Sequence, residues 1–209
     1  MIDARLVAAA LIGVLAGAGG LYLSSEMLVR RALLASPEII PEAMETLRAR
    51  ETAKVITQHR AALETPFASA WAGARDADVV MVQFFDYSCG YCAKSNADVE
   101  RLLREDSRLK VVWREWPVLG PESEQAALAS LAAARAGGFR EFHRSRFGGD
   151  ATTNAAIADP GDVAEIRRND ELARRLGATG TPTFVIGDQM LQGAAGYAAL
   201  KAAIAAARG

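Results

Sequence analysis

Cysteine is nearly absent from this chain, with two in 209 residues, and histidine is equally scarce. Two cysteines cannot staple a small secreted domain with several disulfides, nor can they fill a four-thiolate metal site. An excess of either charge is also lacking. The 24 basic and 25 acidic residues leave a formal net charge of −1, so the chain has no global pull on nucleic acid and none is expected among its partners. No internal repeat occurs. With 51% hydrophobic and 23% charged residues, the composition excludes a disordered or collagen-like chain, and the length suffices for one well-cored domain plus an appendage.

Long apolar runs are missing except at the start, where Leu6 to Leu23 carries no charge. This run is close to the lower limit for crossing a bilayer, and its Ala and Gly make it only moderately apolar. Equally, Leu6–Leu15 reads as the apolar region of a signal peptide, with Ala16-Gly17-Ala18 as a small-x-small cleavage site. As signal peptide or as membrane anchor, residues 1–24 would place the remaining chain in the cell envelope, where disulfides persist.

Residues 25–65 read as helical. A short helix over Glu26–Leu34 is followed by Ser36 as N-cap and Pro37 at the first helical position, then by Ile40, Met44 and Leu47 at spacings of four and three. No heptad is sustained, so a long coiled coil is not expected, and such a helix needs a partner surface, its own domain or a second copy. Thr65-Pro66 marks a boundary before a domain over 66–209. There the pattern predicts a short edge strand at Phe67–Trp71, a strand covered on both faces at Val79–Phe85, a helix ending near Glu105, and an apolar strand at Leu109–Trp113, which together make a β-α-β unit. Three helices are expected at Glu122–Ala136, Phe139–Phe147 and Asp162–Leu176, the last ended by Gly177. A hairpin over Thr183–Ile186 and Gln189–Gln192, turning at Gly187-Asp188, precedes a closing helix at Tyr197–Ala207. The fold class is α/β.

Both cysteines fall in Cys89-Gly90-Tyr91-Cys92, between the buried strand and the helix. Side chains at i and i+3 of a helical turn lie roughly 5–6 Å apart at Cβ, so such a pair can open and close a disulfide with little backbone motion. At the helix N-terminus, unpaired N–H groups and the helix dipole favour a thiolate on Cys89, while Cys92, one turn in, is shielded and suits a resolving thiol. No charged side chain lies between them, so the helix terminus supplies the activation. A static disulfide this short closes almost no loop and adds little stability. A metal site needs two further ligands, and His59 and His143 are isolated and read as solvated helix residues. Thr181-Pro182 stands at the entrance of a strand well after the cysteines.

Three motifs in order, FFDYSCGYC (Phe84–Cys92), REWPVLGP (Arg114–Pro121) and GTPTFVIG (Gly180–Gly187), resemble the DsbA-like thiol:disulfide oxidoreductases. SPEIIPEAMETL (Ser36–Leu47) is similar to the N-terminal region of their ScsC-like branch. The resemblance implies a thioredoxin-like fold with an inserted helical subdomain at about 121–178, Cys89 as nucleophile, Cys92 as resolving thiol, and Pro182 as a cis-proline that opens the Thr181 backbone to an extended substrate. No cofactor or metal is implied. Gln83 stands where many relatives carry an acid that moves protons, leaving that task to Asp86 or solvent. Thr181 before the proline is similar to isomerases, and GGDATTNAAIADPGD after Phe147 is shorter than the usual insertion, which would widen the substrate groove.

The resulting expectation is an envelope enzyme that forms or isomerises disulfides in cysteine-containing exported proteins. It would work with a membrane redox partner of the DsbB or DsbD type and assemble as a homo-oligomer through residues 26–64. A chaperone, or a copper- or zinc-binding module using the two cysteines as ligands, is the alternative.

Overall fold

The computed structural model describes residues 27–149 and 159–209. The apolar N-terminal run, and most of the segment expected to be a shortened insertion, lie outside the described residues. The chain divides at Arg48/Ala49 into two compact units. The first holds helix α1 (residues 27–35) and the beginning of α2 (Ile39–Glu64). Pro37 and Glu38 form a turn, with Ile39 N–H donating to Ser36 O, so α2 starts two residues later than the proline suggested. The large apolar residues among the described part of this unit, such as Leu28, Leu34, Met44 and Leu47, are exposed.

In the second unit, five strands and five helices follow α2 in the order β1 (Trp71–Gly73), β2 (Val79–Phe85), α3 (Gly90–Glu105), β3 (Leu109–Glu115), α4 (Pro121–Arg135), α5 (Phe139–Gly148), α6 (Pro160–Leu176), β4 (Thr183–Ile186), β5 (Gln189–Gln192) and α7 (Tyr197–Ala207). The sheet order is β1-β3-β2-β4-β5, with β2 and β3 parallel and the other pairings antiparallel. The β2–β3 pair brings Val79 opposite Leu109 and Phe85 opposite Glu115, so both strands end at the same edge, where α3 begins.

Alternation divides β2 between two cores. Val79, Met81 and Phe85 pack with Val99, Leu102, Phe139 and Leu200, while Val82 and Phe84 pack with Ile56, Leu63, Leu172 and Leu176 from α2 and α6. Burial on both faces accounts for the apolar run in VVMVQFF, interrupted only by Gln83.

Two expectations need correction. The edge strand is Trp71–Gly73, not Phe67–Trp71, because Phe67–Ala70 is a turn in which Ala70 N–H donates to Phe67 O and Ser69 Oγ donates to Ala134 O. His143 is fully buried in α5, stacked on Phe139, while His59 is half-buried. Phe139, His143 and Phe147 stand four residues apart on α5, so the imidazole shares the aromatic face of a helix whose other faces carry arginine.

Candidate active site

Cys89 is the N-cap of α3, in extended backbone, and the N–H of Cys92 donates to its Sγ at 3.4 Å. The sulfur thus takes the place that a Ser or Asp oxygen fills in an ordinary helix cap, with an otherwise orphaned N–H aimed at it. On the other side the Cys89 thiol donates to Thr181 O at 3.3 Å. The Thr181–Pro182 peptide is cis, and the carbonyl that meets the cysteine lies 92 residues away along the chain. Both cysteines are thiols in this structure. Cys89 keeps 7% of its surface, and Cys92 none. Burial pushes the Cys92 thiol well up, partly offset by a hydrogen bond to the Asp86 backbone.

The remaining predicted neighbours separate into two groups. Gly90 and Tyr91 are exposed at the start of α3, Thr181 is half-buried and Pro182 is buried. Gln83 lies on the sheet, fully buried, with its Oε1 accepting from Trp113 Nε1–H at 3.0 Å. It is a neutral partner to the indole and has no proton of its own to give up. Asp86 is buried with both oxygens occupied by main-chain N–H groups of Ser88, Val118 and Leu119. Among the described residues, no group of three or more His, Cys, Asp and Glu stands together as a metal site.

A polar chain that the sequence reading missed runs beside the cysteines. Ser130 Oγ donates to Glu115 Oε1 at 2.5 Å, Tyr87 Oη lies 2.9 Å from Ser130 Oγ and 3.0 Å from His143 Nδ1, and His143 Nε2 lies 3.2 Å from Asn96 Oδ1 on α3. The only local sign was the acidic residue in REWP at the end of an apolar strand. Glu115 Oε2 has no partner. Burial, with Asp86 and Glu165 adding like charge, holds the Glu115 carboxyl well above its ordinary 4.5, and burial keeps the His143 ring neutral, well below 6.5.

These shifts act on stability in opposite senses. A carboxyl raised in the fold contributes stability that is complete below its unfolded value and is lost as pH rises through the folded one. The neutral His143 contributes stability above 6.5 that is lost as pH falls. Glu115→Gln is therefore expected to gain on the parent as pH rises from about 5 to about 8. The urea midpoints of the two proteins at each pH measure the effect, and a difference that stays constant would contradict it.

A model of the DSBA-like thioredoxin domain matches residues 144–205, and a thioredoxin model matches residues 67–145. The chain is similar to a linker-deletion mutant of ScsC from Proteus mirabilis, at 27% identity and TM-score 0.70, over 88% of this chain and 93% of that one. It is also similar to a periplasmic thioredoxin-like protein from Salmonella enterica serovar Typhimurium, at 27% identity and TM-score 0.66 over 71% and 95% of the two chains. A thioredoxin-like oxidoreductase from Silicibacter pomeroyi is 33% identical, with TM-score 0.61 over 66% and 91%. A curated relative, the Na(+)/H(+) antiporter NhaA 3 from Salinispora tropica, is 30% identical over 156 residues, which are 65% of this chain and 24% of the antiporter. The chain thus spans only that fraction of the curated relatives it matches. With the cysteine-capped helix, the parallel β-α-β unit and the cis-proline in one sheet, the chain belongs to the DsbA-like family of thiol:disulfide oxidoreductases, on its ScsC-like branch.

Proposed function

We propose that Cys89 is the nucleophile and Cys92 the resolving thiol of an enzyme that forms or isomerises disulfides in exported proteins. The observation that carries this reading is the position of Cys89, capping α3 with the Cys92 N–H at its sulfur and the Thr181 carbonyl on its other side. Starting from the dithiol, the Cys89 thiolate attacks one sulfur of a substrate disulfide. That S–S bond breaks, the second substrate sulfur leaves as a thiolate, and a mixed disulfide forms. In isomerisation the freed substrate thiolate attacks another disulfide of the substrate, and a substrate thiolate finally displaces Cys89. If Cys92 attacks instead, Cys89 and Cys92 close into a disulfide and the substrate gains two electrons. Substrate oxidation is the same sequence run backwards from the disulfide form. The direction is set by the reduction potential and by a membrane redox partner of the DsbB or DsbD type. Thr181 before Pro182 favours the isomerase direction.

The apolar residues 6–23 and the periplasmic description of the Salmonella relative support a cell-envelope location. The test is reactivation of a ribonuclease with scrambled disulfides in a glutathione buffer. The full chain is expected to accelerate recovery, and Cys89→Ala to abolish the acceleration. Recovery no faster than in buffer would overturn the reading.

Residues 26–64 serve in this reading as an assembly segment. Leu28, Leu34, Met44 and Leu47 are exposed, an arrangement that a lone helix in water does not favour. The full chain is expected to be an oligomer by light scattering, and Leu34→Glu with Leu47→Glu to convert it to a monomer. A monomeric parent would refute the assignment.

A further inference from the structure

The buried polar chain beside the cysteines has His143 at its centre. The imidazole is boxed by Phe85 at 5.0 Å, Trp113 at 5.0 Å, Phe139 at 5.1 Å and Phe147 at 4.9 Å between ring centroids. Only the two nitrogens are left for polar partners, and those partners stand on either side of the cysteine pair. Nδ1 lies 3.0 Å from Oη of Tyr87, two residues before Cys89. Nε2 lies 3.2 Å from Oδ1 of the half-buried Asn96, one helical turn beyond Cys92. With the Asn96 oxygen at Nε2, the neutral ring carries its proton there and Nδ1 accepts from the Tyr87 hydroxyl. Beyond Tyr87 the chain runs on to Ser130 on α4 and Glu115 on β3, so the tyrosine is held from that side as well.

The two segments that His143 joins are the two that must meet at the nucleophile. Cys89 belongs to the turn that follows Tyr87, while the N–H that reaches its sulfur belongs to Cys92 in the first turn of α3. Stabilisation of an anion at a helix terminus falls off within that first turn, so a small displacement of the sulfur from the helix weakens it. We propose that His143 is a positioning residue for the thiol chemistry, a strut that ties Tyr87 to Asn96 and so fixes the Cys89 turn against the start of α3. This rests on the thiol:disulfide exchange proposed above. A histidine suits the place because a neutral imidazole offers one acceptor and one donor on a rigid ring, where a phenyl ring offers neither.

The test uses the full chain and two readouts. One is the pH at which the Cys89 thiolate forms, followed by its ultraviolet absorbance, and the other is the equilibrium of the cysteine pair with glutathione. Asn96→Ala and Tyr87→Phe each remove one end of the strut. Each is expected to move thiolate formation to higher pH and to shift the glutathione equilibrium toward the disulfide by about threefold to tenfold, the net worth of one hydrogen bond. His143→Phe keeps a ring in the aromatic box, removes both nitrogens, and is expected to give a shift of the same size. In that background Asn96→Ala is expected to add nothing, because the two changes break the same connection. If His143→Phe does not fold, the two single-end variants decide the matter alone. Single-end variants that lose thermal stability while both readouts stay at the parent's values would overturn the proposal and leave the exchange reading intact, as would additive shifts. A parent whose cysteines do not exchange with glutathione would overturn the exchange reading and this proposal with it.

Discussion

A Cys92→Ala variant is expected to accumulate as mixed disulfides through Cys89, captured in cells and identified by mass spectrometry. The first half of the reaction should survive, because the N–H that donates to the Cys89 sulfur belongs to the main chain and remains in the variant. Release should fail, because no third cysteine exists to take over. An intramolecular thiol held one helical turn away attacks with an effective concentration far above that of any cellular thiol, and its loss should lengthen the adduct's lifetime by about a thousandfold or more. In the parent, the buried and strongly raised Cys92 thiol must lose its proton during resolution, so resolution should quicken as pH rises. Gln83 cannot take that proton as a carboxylate would, and both Asp86 oxygens are occupied by main-chain N–H groups. Adducts that form equally with Cys89→Ala would end the assignment of the nucleophile.

The largest expected effect on stability comes from Arg114. It is buried at the end of β3, donating from Nε to Leu63 O at 3.0 Å, from Nη2 to Thr65 O at 2.7 Å and to Ala62 O, and from Nη1 to Glu165 at 3.1 Å and Asn169 at 2.9 Å. The guanidinium thus caps the last turn of α2, whose carbonyls have no partners within the helix, and pins it to α6. Arg114→Met leaves these carbonyls and the buried Glu165 short of a donor. Glu165 keeps only its exposed neighbour Arg168. Removing one member of a buried charge pair costs about 3–5 kcal/mol, which lowers Tm by roughly 10 °C in a domain of this size. Arg114→Lys should recover little, since an ammonium has three donors and no planar fork. Thermal and urea unfolding measure the effect, and a loss below about 1 kcal/mol would show that water substitutes for the guanidinium.

The order of elements was legible because each has a local signature. The run VVMVQFF, the helix opening at the cysteines and the Gly187-Asp188 turn all stand where their patterns placed them. Phe67–Trp71 misled because an aromatic and small-residue stretch fits a turn as well as a strand, and the hydrogen bond from Ser69 to Ala134 that decides between them spans 65 residues. His143 misled for the same reason. The helix around it is rich in arginine, and its aromatic face, with Phe139 and Phe147, is buried against Phe85 and Trp113 from elsewhere in the chain.

By itself, the sequence determined the fold class, the family resemblance and the two sulfurs on which the chemistry depends, since backbone period, turn residues and a four-residue motif are properties of neighbouring positions. Only the tertiary structure decided what surrounds those sulfurs. The Thr181 carbonyl reaches Cys89, Asp86 ties the cysteine turn to Val118 and Leu119, Glu115 is buried behind Ser130 and Tyr87, and Arg114 holds the end of α2. Each of these joins residues far apart in the chain. A buried polar group must find its partner wherever the sheet brings one within about 3 Å, and a periodic pattern along the chain carries no record of that meeting.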